Sequence, residues 1–145
     1  MRQEPDIEYS ELKEFFSFYS DRYLNVGSLP PEKRPMANLR ALEEKNMKTA
    51  LNGLRQAIND CIEMSFHLDP KEVGKLDKQL RERSIVTLSE LRRRYSKKYA
   101  AIVKRGRIRS DTEYYLIRNV LDDPTTKAEG EREVLENLVA DYEST

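Results

Sequence analysis

Apolar positions recur at helical intervals along almost the whole chain, and punctuating residues cut them into about six amphipathic segments. The first carries Leu12, Phe15, Phe16, Tyr19 and Tyr23 at i, i+3, i+4, i+7 and i+11, with Glu8, Glu11, Lys13 and Glu14 between them. That spacing predicts a helix over 7–24 with an aromatic stripe. Residues 25–35, Asn-Val-Gly-Ser-Leu-Pro-Pro-Glu-Lys-Arg-Pro, favour turn and extended chain and predict a linker or hinge. A helical core over 36–105 follows. Its first element is one long helix, about 36–68, with Met47, Leu51, Leu54, Ile58, Cys61 and Ile62 on one face. Their four-and-three spacing resembles a heptad seam, offering a face for self-association, but lasts only about two repeats and so argues a bundle helix over a coiled coil. Gly53, inside this helix, costs up to about 1 kcal/mol relative to alanine and marks either a close helix contact or a weak point.

Helix starts are signalled four more times. Asp69-Pro70 supplies a cap followed by proline at the first helical position, ahead of Val73, Leu76 and Leu80. Thr87-Leu-Ser-Glu90 has the form of a capping box and opens a helix over 87–105, which ends before Gly106. Ser110-Asp-Thr-Glu113 repeats the box ahead of Tyr114, Ile117 and Leu121, and Asp122-Asp123-Pro124 closes that helix. A third box, Thr126-Lys-Ala-Glu129, precedes Leu135, Leu138, Val139 and Tyr142. The last two helices form an acidic hairpin over 110–143, with a second hinge at 105–110. The expected fold is all-α: a single-domain bundle of about six helices over 1–145, without strands.

Composition agrees with this outline. Apolar residues are 38% and charged residues 36% of 145, as suits helices that bury one stripe and expose the rest. One core is expected, since a chain of this length buries roughly 68–70% of its unfolded surface. Cys61 is the only cysteine, which leaves no intramolecular disulfide or multi-cysteine zinc site and fits a reducing compartment. The opening Met-Arg-Gln-Glu-Pro-Asp lacks a signal-peptide pattern, and no apolar run reaches membrane-spanning length. A soluble, cytoplasmic protein is expected.

Charge changes the picture. The 26 basic and 26 acidic residues cancel overall but not locally: residues 81–109 hold 11 basic against two acidic side chains, +9, and residues 110–145 hold three against ten, −7. On a continuous 87–105 helix, Leu88, Leu91, Tyr95, Tyr99, Ile102 and Val103 lie within about 120° of one another. Arg93, Arg94, Lys97, Lys98, Lys104 and Arg105 take the opposite side, and Arg107 and Arg109 continue into the exit loop. Arg92, near the apolar stripe, is expected to lay its stem on the core edge and keep its guanidinium in water.

These eight cations, Arg93, Arg94, Lys97, Lys98, Lys104, Arg105, Arg107 and Arg109, are the candidate site. They point to a non-enzymatic binding or regulatory protein that takes DNA or RNA through the basic helix, with affinity from phosphate neutralisation. Tyr114 and Tyr115, just after the segment, are placed to stack on bases. The alternative is a protein-interaction module of adaptor, antitoxin or immunity type, meeting an acidic protein at 81–109 or a basic one at 110–145. Attachment to anionic lipid is disfavoured because the tyrosine-rich apolar face is needed for the core. The −7 segment is also an internal partner for the cations, and a tail covering the basic face would have to move before a polyanion could bind. No enzyme signature appears. His67 is the sole histidine, which removes histidine-rich metal sites, and Gly106 and Gly130 are isolated rather than part of a phosphate loop. Glu63, His67 and Cys61 read more simply as helix residues around a buried thiol. No cofactor or metal is implied, although a site built from carboxylates alone stays open.

Overall fold

The computed structural model describes residues 3–24 and 29–144. Every regular element among them is helical: α1 (Gln3–Tyr23), a 3-10 turn (Pro31–Lys33), α2 (Pro35–Lys45), α3 (Met47–Ser65), α4 (Pro70–Glu82), α5 (Leu88–Tyr95), α6 (Lys97–Arg105), α7 (Asp111–Asp122) and α8 (Glu131–Glu143). The all-α class holds, with eight α-helices where about six were expected. No helix among the described residues is long and apolar enough to cross a membrane. Internal contacts group the chain into two compact units, Met1–Met64 and Ser65–Thr145.

In the first unit the aromatic stripe of α1 is buried as its spacing requires: Leu12, Phe15, Phe16 and Tyr19 are all inside. The Phe15 and Tyr19 rings stack with centroids 5.6 Å apart. Glu43 of α2 accepts from Tyr9 and from Lys13 Nζ (2.7 Å), tying α2 to α1. The Arg55–Glu8 pair (2.6 Å) ties α3 to α1. The long helix expected over 36–68 is broken at Asn46, and part of the 25–35 linker becomes helical, since α2 begins at Pro35. Residues 25–28 of that linker lie outside the described residues. Asn46 is extended (φ −172°, ψ 126°). Its N–H donates to the Leu42 carbonyl and closes α2, while its Oδ1 accepts from Lys48 N (2.7 Å) and Thr49 N (3.3 Å) and opens α3. One amide side chain thereby caps a new helix inside what periodicity reads as one. Of the two readings of Gly53, a close helix contact or a weak point, the structure shows the contact: a Cβ there would lie 2.9 Å from Leu42 Cδ1 of α2. Of the proposed seam, Leu54, Ile58, Cys61 and Ile62 are buried in the chain and Met47 is exposed.

The second unit is built around α5. Leu88, Ser89, Glu90, Leu91 and Arg92 are consecutive and all buried. At about 100° per residue these positions run right round the helix, so α5 is enclosed on every side at its N-terminal turn. It packs on α4, α6 and α7. An apolar cluster joins α6, α7 and α8 through Tyr99, Ile102, Leu116, Ile117, Val120, Leu135 and Leu138. Three helices start where read, with Asp69 capping Lys71 N, Thr87 capping Glu90 N and Ser110 capping Glu113 N. The boxes form only in their hydroxyl half, since Glu90 bonds to Arg93 and Arg94 and Glu113 to Arg105 and Arg109 N. Two expectations fail. The 87–105 helix is interrupted at Ser96, whose N–H closes α5 on Arg92 O and whose Oγ accepts from Tyr99 N (3.2 Å) to open α6. The third capping box does not form. Lys127 Nζ donates to the Asp123 (2.7 Å) and Thr125 (3.2 Å) carbonyls and holds that loop folded, so α8 starts only after Gly130 at φ 79°.

The turn after α4 carries a strained residue. Exposed Ser84 sits at φ 58°, with Ile85 N donating back to Leu80 O (2.9 Å), a helix ending that favours glycine. A left-handed L-residue costs roughly 1–2 kcal/mol, and glycine returns part of that as unfolded-state entropy. Ser84→Gly is therefore expected to stabilise the protein by about 0.5–1 kcal/mol in urea unfolding, and an unchanged or lowered midpoint would contradict this account of the turn.

Candidate functional site

The eight candidate cations are divided by the break at Ser96. Arg93 and Arg94 belong to α5, Lys97, Lys98, Lys104 and Arg105 to α6, and Arg107 and Arg109 to the following loop. They do not form the single stripe expected of a continuous helix.

The α5 arginines face carboxylates. Glu90 is 3% exposed. It accepts from Arg93 Nε (2.9 Å) and Nη2 (3.0 Å) and from Arg94 Nε (2.7 Å). Burial pushes its carboxyl upward, but these hydrogen bonds outweigh burial and hold it below the usual range. Arg93 continues to Glu131 of α8 through Nη1 (2.8 Å), and the same glutamate accepts from Tyr99 OH (2.5 Å). Arg105 donates to Glu113 and to the Arg107 carbonyl (3.0 Å). Arg81 and Thr87 both donate to buried Asp123, at 2.9 and 3.0 Å. The acidic C-terminal third thus supplies partners for the basic segment. It is not a loose tail. α8 buries Leu135, Leu138 and Val139, and hydrogen bonds from Tyr114 to Glu143 and from Tyr142 to Asp111 clasp it to α7.

Arg92 departs from expectation. Instead of reaching water it is 3% exposed, and its Nη2 donates to Ser65 O (2.9 Å) and Ser65 Oγ (3.0 Å). Its guanidinium lies 4.8 Å from the Phe66 ring centroid. The enclosure of residues 88–92 on every side of α5, where one docked face was expected, is the reason.

What faces solvent is different. Lys97, Lys98, Lys104, Arg107 and Arg109 are exposed, as are Ala100 and Ala101 between them. Lys98 Nζ lies 4.5 Å from the Phe66 ring centroid. Phe66 in turn walls a cleft of about 250 Å³ whose lining includes Leu68, Val73, Leu116, Tyr115 and Asn119. Of the two candidate stacking residues, Tyr115 is 45% exposed at the cleft, whereas Tyr114 stacks on Tyr142 with centroids 5.3 Å apart.

Cys61 is buried, and its thiol is pushed up to about 12 by burial and then by the charge of Asp60, so it stays protonated at neutral pH. His67 and Glu63 are exposed on the surface. Among the described residues no three His, Cys, Asp or Glu side chains gather to hold a metal ion. Comparisons of the chain with protein-family models, with curated proteins and with solved structures return no match.

Sequence reading missed the polar centre beneath this surface. Asp77 of α4, 3% exposed, accepts from both the N–H (3.2 Å) and the hydroxyl of Ser89 on α5. No local signal links residues 12 apart on different helices. Burial pushes the Asp77 carboxyl up to about 6; the Ser89 hydrogen bonds and Arg92 pull it down, and Asp123 pushes it further up. With the unfolded carboxyl near 3.8, the folded protein binds more protons between about pH 4 and pH 6, so this group makes stability fall as pH rises through that window. Asp77→Asn stays neutral throughout. Urea unfolding at pH 4 and pH 7 should show wild type losing on the order of 2–3 kcal/mol relative to the variant, and parallel pH profiles would contradict the assignment.

Proposed function

We propose that this chain is a non-catalytic binding protein that engages nucleic acid through the outer face of α6 and the loop that follows it. The observation that carries the reading is a set of five outward cations in a stretch that has no carboxylate of its own. No carboxylate occurs between Glu90 and Asp111 in the sequence, and Lys97, Lys98, Lys104, Arg107 and Arg109 all face solvent. Exposed Ala100 and Ala101 keep the helix surface low between the lysines, which lets a phosphate chain approach closely. Residues paired inside the protein, Arg93, Arg94 and Arg105, would contribute only by giving up existing partners, so the working surface is narrower than the +9 segment suggests.

Counterion release sets the size of the expected effect. Each neutralised phosphate adds about −0.7 to the slope of log K against log salt for a single strand. Five cations give a slope of roughly −3 to −4. In a salt-titrated anisotropy assay with DNA and RNA strands, Lys97/Lys98/Lys104→Ala should make the slope shallower by about 2 and weaken binding to all sequences alike. No binding by the wild-type protein at low salt would refute the reading and return this surface to the acidic-protein alternative.

A further inference from the structure

The cleft beside Lys98 differs in character from the cationic surface around it. Its floor is apolar, from Leu68, Val73 and Leu116, and two aromatic rings stand at its edge, Phe66 and the exposed Tyr115. The Asn119 carboxamide lines it and donates through Nδ2 to Pro70 O (3.2 Å), which leaves its Oδ1 lone pairs as acceptors. Asp111 is at the rim, where its carboxylate accepts from Tyr142 OH. A phosphate is a poor occupant. It would meet the Asp111 carboxylate, and the one guanidinium in the lining, that of Arg92, is already bonded to Ser65. A planar heterocycle suits the same lining: apolar floor, aromatic edges, and acceptors for its ring or exocyclic N–H groups.

The surroundings say what such a heterocycle would be attached to. On one side Lys98 Nζ lies over the Phe66 ring. On the other, the chain passes from Arg107 and Arg109 into the rim at Asp111 and Thr112. Lys98 of α6 thus stands beside the cleft, and the loop that carries Arg107 and Arg109 leads into its rim. We propose that the cleft takes one unstacked nucleobase of a single strand, whose flanking phosphates rest on Lys98 and on the Arg107–Arg109 loop. This deepens the nucleic-acid reading above and rests on it. Exposed Lys98 exchanges the Phe66 face for a phosphate oxygen and uncovers the ring, while Tyr115 closes on the base from outside. A base held in a duplex cannot enter a recessed cleft without leaving its stack, so the site selects single strands.

The test uses the full chain and strands of about 12 nucleotides, within the usual footprint of such surfaces. Fluorescence anisotropy compares a base-bearing single strand, an abasic phosphodiester of equal length and the corresponding duplex. The base-bearing strand should bind roughly 10-fold or more tighter than the abasic one, the usual worth of a stacked base. Tyr115→Ala should reduce its affinity to the abasic level and leave abasic binding unchanged, whereas Tyr115→Phe should retain tight binding. A single 2-aminopurine in the strand should be quenched on binding the wild type and not on binding Tyr115→Ala. Equal affinity for base-bearing and abasic strands, or a Tyr115→Ala loss shared by both, overturns the base site and leaves the cationic surface standing. Absence of binding to every strand at low salt removes both.

Discussion

Charge taken out of water around α5 has to be answered by a partner, and that requirement organises the second unit. Ser89, Glu90 and Arg92 are buried on successive faces of an eight-residue helix. Each finds its partner in a different place: Ser89 at Asp77 of α4, Glu90 at Arg93 and Arg94 of its own helix, Arg92 at Ser65 where α3 ends. Turning α5 by one residue would take Ser89 from Asp77 and Arg92 from Ser65 at once, and a buried charge left alone typically costs about 3–5 kcal/mol. The polar centre thus fixes the rotation of α5, and α6, which follows after one residue, inherits that orientation.

The division of cations follows from side-chain chemistry. Arg81, Arg93, Arg94 and Arg105 carry the ion pairs between or along helices, where a planar fork can meet two acceptors at once. Lys97, Lys98 and Lys104 stay on the outside, where a compact ammonium on a flexible stem keeps its water and meets a phosphate as a point charge. A +9 segment is in this sense two things: a set of arginines that hold helices together and a smaller set of lysines, extended by Arg107 and Arg109, that face out. Local charge counts cannot separate them, because both contribute equally to the total.

Much of the fold was legible where the signal was local. The stripe of α1 and the caps at Asp69, Thr87 and Ser110 each involve residues within a few turns of one another. The failures share a cause. Asn46 and Ser96 each end one helix and begin the next without disturbing the apolar period, so the pattern continues across a change of direction. The box at Thr126 had the right letters, yet Lys127 gave its ammonium to the preceding carbonyls and the loop kept another shape. For the site, the ion pairs of Glu90 with Arg93 and Arg94 were readable at i+3 and i+4. The Asp77–Ser89 contact, the engagement of Arg92 and the cleft beside Phe66 were not, since they arise only when separate helices are brought together.

The joint at Ser96 has a further implication for how this chain tolerates change in length. α5 and α6 meet through a single residue, with no loop to take up slack. One residue inserted or deleted there would re-aim α6 relative to α5 and take the outward lysines off the solvent face. The stretch between α7 and α8 has several residues of loop and can absorb such changes. Spacing between residues 88 and 105 is therefore under the same restraint as core composition, although the lysines it serves to aim lie on the surface.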